Sequence, residues 1–447
     1  MGRLTFLIFT LAVASVASAK ADNGQISVET RGDAPRHVTV TALTENIIRV
    51  ANTPAGVETP QSQTLLPVKR NAATKSLETA GAEVLTTGGG IVVSVDKADG
   101  AVTIAAPGGV VIADNGVRLS SGGKESLSLL TPGNESFYGA GERGYSLNLA
   151  ADTLVMFNRQ NYGYTAGEDR IKQMNITMPL LISSKGYAIV FDDYAAATLT
   201  TSNPLTYTTE ANKPVSYYFI SGVTGDDRQA RIDNVVSKLT LLTGRQELPP
   251  LWSLGYITSK YGYRTEAETR GVIDSLKRAG YPVDGIVLDL YWYGKEEDMG
   301  RLEWDKEQWP NHVKMLSDLK KKGVSLVTIS QPYVLRNGRA IDNYNELAPK
   351  GMFVRDSLGN PGEVKIWVGE GGMFDVSNPD TRNWLAERYH QLTEMGVTGW
   401  WGDLGEPEVH PDSLWHYNGL KARQYHNLYG NDWSKIIYDM FKVQYPD

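Results

Sequence analysis

The sequence contains no cysteine and only six histidines among its 447 residues. Without cysteine, the chain has no disulfides, no thiolate metal ligands and no cysteine nucleophile. The histidines lack the His-x-x-x-His spacing of a helical metal site, and although carboxylates could hold a metal, no pattern points to one, so we expect none. A chain of this length must rely on hydrophobic cores, and it exceeds the roughly 250–300 residues at which a single core stops growing. We therefore expect more than one domain.

An excess of positive charge and a long apolar run are also missing. The formal net charge is −7, from 44 basic and 51 acidic residues, and no basic tail is available to neutralise phosphates, which argues against nucleic acid as a partner. Residues 1–19 combine one Arg, a short apolar run and a final Ala-Ser-Ala, the pattern of a signal peptide cleaved before Lys20. We expect an exported protein, periplasmic or secreted, without a membrane span; its oligomeric state stays open.

Short segments that alternate between apolar and polar residues run from residue 25 to residue 236. HVTVTALTENIIRV at residues 37–50 is typical, and two later apolar runs flank a short loop that ends in Gly100, as tight hairpins prefer. Many short strands with Gly and Asn turns indicate an antiparallel sandwich. We predict an N-terminal β-sandwich domain over residues 25–245.

The pattern changes at Pro249-Pro250, after which predicted strands and helices alternate. Thr265-x-x-Glu268 predicts a helix start through a capping box, and Asn378-Pro379 predicts another through an N-cap followed by an N1 proline. A further helix is predicted near residues 312–322. The predicted strands are residues 254–258, 285–290, 324–330 and 398–401.

Repeated βα units predict a parallel sheet, which belongs either to a barrel or to a doubly wound fold. The first predicted strand runs into SKYGYR, which is not the glycine-rich turn that a dinucleotide-binding sheet requires. We therefore predict a (β/α)8 TIM barrel over residues 250–447. Only about four βα units fit into this stretch, whereas a whole barrel needs about 250 residues. We expect about the first half of the barrel to be present.

Two acids stand at predicted strand ends, where a barrel places its active site. Asp289 lies in GIVLDLYWYG, followed by Tyr291 and Trp292, and Asp403 lies in GWWGDLGEPE. Carboxylates that accept from hydroxyl groups, beside apolar rings, form a surface suited to sugars. An acid at a strand end also often caps the next helix, and for Asp289 both interpretations stay open.

The residues around Asp403 favour chemistry. Trp400 and Trp401 point to opposite faces of their strand, and we predict core packing for Trp400. Gly402 and Gly405 flank the carboxylate without side chains, which predicts room for a ligand.

Cleavage of a glycosidic bond needs two carboxyl groups, about 5 Å apart in retaining enzymes. Glu406 follows Asp403 by three residues, too close in sequence to approach a bond from the other side, so it is interpreted as a support for the nucleophile or its loop. An equally open interpretation makes Glu406 a carboxylate at a helix start. Glu408 is expected to face solvent.

The ordered series LTGRQELPPLWSLGYITSKYGYRT, GIVLDLYWYG, MFDVSNPDTRNWL and WWGDLGEPE resembles glycoside hydrolase family 31, from about residue 137 onward. The resemblance implies a sandwich followed by a catalytic barrel and a retaining mechanism that needs no cofactor. It also implies individual roles: Asp403 as nucleophile, Glu406 as its accompanying acid, Trp401 as the ring beside the sugar, Asp289 as acceptor from the hydroxyl at the non-reducing end, and Trp367 as a ring near the same subsite.

The sequence departs from the family at the acceptor side. Tyr291 stands where the family usually has a second acid, and FNRQNYGY replaces a loop that often carries an aspartate. The motifs are similar to those of the exported bacterial oligosaccharide 4-α-glucosyltransferases. Aromatic acceptor sites favour a sugar over water, so we expect Tyr291 and Trp292 to bind substrate.

The expected activity is the transfer of non-reducing terminal glucose from α-1,4-glucans or malto-oligosaccharides to an acceptor sugar. The alternatives are hydrolysis by an α-glucosidase or α-xylosidase, and a sugar-binding fragment without activity. The resemblance places the general acid/base downstream of Asp447.

Overall fold

The computed structural model describes residues 23–31, 34–116, 119–121, 124–161, 163, 165, 167–211, 213–222 and 228–446. The expected signal peptide at residues 1–19 lies outside these ranges. Among the helices of the described part, none has the length and apolar character needed to cross a bilayer.

The N-terminal region consists of antiparallel strands. They are β1 (Gln25–Glu29), β2 (Arg36–Thr44), β3 (Ile47–Pro54), β4 (Thr74–Glu78), β5 (Ala82–Thr87), β6 (Val92–Asp96), β7 (Val102–Ala106), β8 (Val110–Asp114), β9 (Leu119–Ser121), β10 (Lys124–Leu130), β11 (Phe137–Gly139), β12 (Thr153–Met156), β13 (Leu180–Ser183), β14 (Tyr187–Asp192), β15 (Ala197–Thr200), β16 (Leu205–Thr209) and β17 (Ser216–Ser221). They form a seven-stranded sheet in the order β1-β2-β3-β17-β14-β13-β11 and a ten-stranded sheet in the order β12-β15-β16-β10-β8-β7-β6-β5-β4, with β9 beside β10.

The two sheets pack face to face because their strands alternate as the sequence indicates. In β7, Val102 and Ile104 are buried in the core between the sheets, while Thr103 between them points outward. The turn between β6 and β7 contains Gly100 at φ +76°, in contact with the β-sheet beneath it. The predicted sandwich is therefore present in the described residues.

The sequence prediction of β-structure up to residue 236 is wrong at its end. Helix α1 (Arg228–Thr243) occupies this stretch and packs on the second face of the seven-stranded sheet, with Val235 and Leu242 buried against β14 and β17. Strand β17 is buried on both faces as a result. The apolar outer face of the sheet is covered here by a helix and not by a further strand.

After residue 250 the chain forms βα units. Their elements are β18 (Ile257–Thr258), α2 (Glu266–Arg278), β19 (Gly285–Leu288), α3 (His312–Lys321), β20 (Ser325–Ser330), β21 (Tyr333–Leu335), α4 (Ile341–Leu347), β22 (Val364–Ile366), β23 (Gly369–Met373), α5 (Pro379–Glu394), β24 (Gly399–Gly402) and α6 (Ala422–Gln444). The parallel sheet has the order β18-β19-β20-β24, and β21, β23 and β22 form a small antiparallel sheet. Strands that follow each other in chain order are those of a barrel, whereas a doubly wound sheet reverses its order.

Local sequence signals explain the helix starts. Thr265 caps α2 by accepting from the N–H of Glu268 at 3.0 Å, and the Glu268 carboxylate accepts from the N–H of Arg264 at 2.7 Å. Asn378 caps α5 by accepting from the N–H of Asp380 at 3.0 Å. The first strand is shorter than predicted, because a 3₁₀ turn takes up Leu251–Leu254.

Helix α6 joins the two regions. Arg423 donates to both carboxylate oxygens of Glu210 in the sandwich, at 2.6 and 3.0 Å. Asn427 accepts from the N–H of Asn158 at 2.8 Å, and the ring of His426 stacks on Phe157 with 3.9 Å between centroids. The sandwich is thus held against the part of the barrel that follows β24.

Candidate active site

Asp289 directly follows β19. Its carboxylate accepts from the N–H of Leu290 at 2.6 Å and caps a short 3₁₀ turn, Leu290–Trp292. Only 7% of the residue is exposed. Burial, and secondly the charge of Asp403, raises the pKa of Asp289 to about 6. The capping interpretation is therefore confirmed, and the carboxylate is also electrostatically coupled to Asp403, whereas a role in substrate binding stays a prediction.

Asp403 directly follows β24, and its N–H extends the sheet by donating to the carbonyl of Ser330 at 2.9 Å. The side chain is partly exposed. Burial raises the pKa of Asp403, while the N–H of Leu404 and the Gln331 side chain act in the opposite direction. The next residue, Leu404, has φ +58°, so the chain turns sharply behind the carboxylate.

The two aspartates lie on either side of β20, at the same edge of the sheet. Two strand spacings amount to roughly 10 Å between their backbones. Between them lie Gln331, just past β20, and the buried ring of Tyr293, whose hydroxyl donates to Gln331 Oε1 at 3.3 Å. Burial first, then the charges of Asp289 and Asp403, raises the pKa of Tyr293. Tyr293 is one of the three aromatic residues that follow Asp289 in the sequence. No role was predicted for Gln331, although its position after a predicted strand was a usable signal.

Glu406 and Glu408 are both half-buried, and in each case Oε2 is buried with no hydrogen-bond partner among the described residues. Burial, and then the charges of Asp403 and Glu142, raises the pKa of Glu406. Burial, and then Glu406 and Asp403, raises the pKa of Glu408. The expectation that Glu408 faces solvent is wrong. The loop after β24 concentrates negative charge that nothing described in the chain neutralises.

Glu406 also borders a cavity of about 510 Å³, which reaches to Asn158 and Tyr194 of the sandwich and to Trp433 of α6. Neither Asp289 nor Asp403 lines this cavity. The interpretation of Glu406 as a support for the nucleophile or its loop stays a prediction.

One of the two glycines beside Asp403 is explained by the packing of α6. A Cβ on Gly405 would lie only 3.0 Å from the indole of Trp433, and a Cβ on Gly430 of α6 would lie 2.8 Å from the carbonyl oxygen of Gly405. A Cβ on Gly402 would lie 3.5 Å from Trp433, an ordinary van der Waals distance. That these glycines leave room for a ligand stays a prediction.

Of the aromatic residues after Asp289, Tyr291 lies at the wall of the site and Trp292 lies in the core. Tyr291 is nearly buried; the guanidinium of Arg264 lies over its ring at 4.4 Å, and its hydroxyl donates to Glu296 at 2.6 Å. Trp292 is completely buried, and its N–H donates to the carbonyl of Ile329 at 3.0 Å. Trp292 has no surface for a sugar, so it supports the sheet instead of binding substrate. The exposed Tyr261 packs edge-on against Tyr291, with 6.1 Å between ring centroids.

The two tryptophans of β24 separate as the strand period predicts. Trp400 packs against Tyr389 and donates to the hydroxyl of Thr393 at 3.2 Å. Trp401 is 40% exposed and is available for contact with a ligand.

Trp367 is 54% exposed at the turn between β22 and β23. Strand β23 pairs with β21 so that Met373 lies opposite Tyr333, close to the edge of the parallel sheet, and Gly371 lies farther out. The turn is about 13 Å beyond Met373 at 3.3 Å per residue. Among the sequence-predicted residues, the structure thus brings Asp289, Asp403 and Glu406 together, with Tyr291 beside Asp289, and holds Trp367 on a projecting hairpin.

The described residues contain no cluster of His, Asp or Glu suited to a metal ion. The chemistry available at this edge is that of carboxyl groups: Asp403 is partly exposed, and Asp289 is nearly buried and accepts a hydrogen bond. The sandwich, the parallel sheet and this acid pair define a barrel protein of the glycosidase type.

Comparison with known proteins identifies the family. A model of the TIM-barrel domain of glycosyl hydrolases family 31 matches residues 246–447, and one of the N-terminal galactose mutarotase-like domain of glycosyl hydrolase 31 matches residues 37–199. Together they cover most of the chain, which belongs to glycosyl hydrolase family 31. The predicted family and fold are confirmed.

Individual relatives share the family but differ in activity. The chain is 28% identical over 411 residues to alpha-glucosidase 2 of Bacillus thermoamyloliquefaciens, covering 86% of this chain and 50% of that protein. It is 26% identical to alpha-xylosidase XylQ of Lactiplantibacillus pentosus, over 70% of this chain and 39% of that protein. The chain spans about half the length of the curated relatives it matches.

Solved structures share the fold. A Flavobacterium johnsoniae GH31 dextranase complexed with isomaltotriose has a TM-score of 0.82 at 21% identity, over 97% of this chain and 53% of that one. The cycloalternan-forming enzyme of Listeria monocytogenes has a TM-score of 0.78 at 19% identity, over 96% of this chain and 43% of that one.

Proposed function

We propose that the complete protein is a retaining α-glycosidase-type enzyme that takes glucose from the non-reducing end of α-1,4-glucans or malto-oligosaccharides and passes it to an acceptor sugar. The observation that carries the proposal is the coupled pair of carboxyl groups, Asp289 and Asp403, at the carboxyl edge of a parallel sheet in a family 31 chain.

Asp403 is the nucleophile because it is the partly exposed member of the pair. Its carboxylate attacks C1 of the sugar, the bond from C1 to the leaving oxygen breaks, and that oxygen takes a proton from a general acid. The acceptor hydroxyl then attacks C1, loses its proton to the same group acting as base, and releases Asp403. We assign the acid/base role to no residue of this chain. Asp289 accepts from a hydroxyl of the bound glucose, and Glu406 supports the loop of the nucleophile.

Transfer in preference to hydrolysis is supported by the wall beside Asp289. Tyr261 is 54% exposed, and its hydroxyl and that of Tyr291 both donate to Glu296 Oε1, at 3.1 and 2.6 Å. This network fixes the exposed ring of Tyr261, so an acceptor sugar packs on it without ordering a flexible side chain. A protein of similar fold is a cycloalternan-forming enzyme in complex with a pentasaccharide.

The main alternative is hydrolysis of an α-glucoside or α-xyloside, which the similarity to alpha-glucosidase 2 and to alpha-xylosidase XylQ supports. The leader-like residues 1–19 support export of the enzyme, and N-terminal sequencing of the exported protein should then begin at Lys20.

A fluorinated α-glucosyl donor tests the assignment, because the fluorine slows release of the covalent intermediate. Peptide mapping of the complete protein should place the label on Asp403; a label on another residue removes the assignment. Product analysis with maltose and with α-xylosides then separates transfer, glucoside hydrolysis and xyloside hydrolysis. The variant Asp439→Asn is a suitable control, since Asp439 is bonded to Lys435 on the surface of α6.

A further inference from the structure

Three of the six histidines of the chain form one continuous chain of hydrogen bonds below the loop of Asp403. His416 Nδ1 lies 3.1 Å from Asp375 Oδ1, and His416 Nε2 lies 2.8 Å from His410 Nε2. His410 Nδ1 lies 3.2 Å from His426 Nδ1, and His426 Nε2 lies 2.7 Å from the carbonyl oxygen of Asn158. Sequence analysis assigned no role to any of these histidines.

Both ends of this chain are acceptors, and this fixes the number of hydrogens. Each of the four hydrogen bonds needs one hydrogen, whereas three neutral imidazoles supply one each. With only three hydrogens, two lone pairs would face each other at one of the contacts. The fourth hydrogen makes one ring an imidazolium.

The extra hydrogen belongs to a ring and not to Asp375. Oδ1 of Asp375 already accepts from the N–H of Ser377 at 3.1 Å and its hydroxyl at 2.7 Å, and Oδ2 accepts from the N–H of Tyr417 at 2.6 Å. Burial acts to raise the pKa of Asp375, but the bonds from His416 and these donors lower it below the ordinary range. Asp375 is therefore a carboxylate, and the ring that carries the extra hydrogen is the one beside it, His416.

The other two rings are in surroundings that keep them neutral. Burial, then the charge of His416, lowers the pKa of His410. Burial lowers the pKa of His426 to about 4, and Arg423 adds to this. Arg423, the charged residue that acts on His426, is itself paired with Glu210 and lies 3.7 Å from Asp412.

Two tyrosines of α6 pack on the histidine chain. Tyr425 packs on His416 and donates its hydroxyl to Asp432, which also pairs with Arg382. Tyr429 packs on His410 and donates to the carbonyl of Phe374.

We propose that His410, His416 and His426 together hold one extra proton, and that this charged chain fixes the loop of Asp403, Glu406 and Glu408 against Asp375 on one side and the sandwich on the other. His410 is a positioning residue: it stands two residues after Glu408, and the neighbouring Val409 is held by Tyr333, which accepts from its N–H at 2.7 Å and donates to its carbonyl at 3.0 Å. The effect on catalysis rests on the proposed function, whereas the hydrogen count does not.

Neutron diffraction from crystals of the complete protein tests the count directly, without any variant. Four hydrogens should be seen on the three rings: two on His416, one on His410 Nδ1 and one on His426 Nε2. Three ring hydrogens, or a hydrogen on Asp375, would overturn the proposal. His37, at the edge of the sandwich beside Glu29, is the internal reference for an ordinary histidine.

Two variants test the positioning role. His410→Phe keeps an aromatic ring but breaks both ring contacts, and should lower kcat by about 10–100-fold with a smaller change in KM, because small misplacements of catalytic groups have effects of this size. His426→Gln keeps a donor for the Asn158 carbonyl but breaks the link to His410 and removes the ring stacked on Phe157, and should cost less. His426→Gln also tests the positioning role if His410→Phe does not fold.

The control is His37→Gln, which should leave kcat unchanged. A folded His410→Phe or His426→Gln variant with the kcat of the parent would overturn the positioning role. Such a protein would still be labelled at Asp403 by the fluorinated donor, so the proposed function would survive. If the complete protein neither transfers nor hydrolyses glycosides, the proposed function fails, and the neutron experiment still decides the hydrogen count.

Discussion

The barrel region buries acids in two places that lie close in sequence but differ in their charge partners and in the direction of their pKa shifts. Asp298 and Asp305, after β19, surround Arg339: its guanidinium lies 3.0 Å from Asp298 and 2.9 Å from Asp305. Burial acts to raise the pKa of Asp298, but the N–H groups of Lys295 and Arg339 and the guanidinium lower it below the usual range. Asp289, nine residues earlier, has its pKa raised to about 6.

The difference teaches how to tell a structural acid from a functional one in this fold. The cluster around Arg339 is complete, and it is packed so closely that a Cβ on Gly294 would lie 2.2 Å from Asp298 Oδ2. At the strand ends, in contrast, Glu406 and Glu408 leave buried oxygens without partners in the described part of the chain. Buried charge without partners costs free energy, and titratable groups in such surroundings are concentrated at functional sites.

The largest expected effect concerns the nucleophile. Asp403→Asn keeps the shape of the side chain but cannot form the covalent intermediate, so kcat should fall by on the order of 10⁴–10⁶-fold. Initial rates with an activated α-glucoside measure this, with Asp439→Asn as the control of equal charge change. Loss of less than about tenfold would mean that the attacking group lies elsewhere.

The next largest effect is expected in the cluster of acids around Arg339. Asp298→Asn removes the charge that Arg339 pairs with, and it replaces one of the two carboxylate oxygens that accept from backbone N–H groups. The free energy of unfolding should therefore fall by about 2–4 kcal/mol. Because the lowered pKa of Asp298 contributes stability that is present above the pKa of the unfolded chain and lost as pH falls, the variant should differ most from the parent at neutral pH and least in acid. Chemical denaturation at several pH values gives both quantities.

Local signals were sufficient for much of this architecture. The caps at Thr265 and Asn378 follow from short-range chemistry, and the position of Asp289 and Asp403 after apolar strands placed both at one edge of the sheet. Alternation along β24 also separated Trp400, partly buried against the core, from the exposed Trp401.

What the sequence could not give depends on partners far away in the chain. Gly405 was interpreted as space for a ligand, and its close packing against Trp433 of α6 was not predicted. Trp292 was expected at the site because it follows Asp289, yet its ring meets the carbonyl of Ile329 in the core. The histidine chain joins residue 158 to residue 426, and no local pattern predicts such a contact.

A smaller effect, of opposite sign to that of Asp298→Asn, is expected at Asp289. Asp289→Asn keeps the acceptor for the N–H of Leu290 but removes a buried charge, so it should lower kcat/KM while raising Tm by about 1–3 °C. The raised pKa means that folding favours the protonated acid. That contribution is present below the unfolded pKa and is lost as pH rises through about 6.

The gain in Tm at Asp289 should therefore appear above about pH 7 and vanish below about pH 4. Differential scanning calorimetry of both aspartate variants at the two pH values makes the comparison. If Asp289→Asn destabilised the protein at neutral pH as Asp298→Asn does, the distinction between the two kinds of buried acid would fail.

The smallest effect is expected at Glu408, the acid whose burial the sequence did not indicate. Burial raises the pKa of Glu408, and the charges of Glu406 and Asp403 add to this, so Glu408→Gln should raise Tm by about 1–2 °C at neutral pH. The exposed Glu387 of α5, bonded to Gln391, offers the control Glu387→Gln, for which no change is expected. Equal Tm values for the two variants would show that the unpartnered oxygen of Glu408 carries no cost, and the contrast with the cluster around Arg339 would then rest on Asp289 and Asp403 alone.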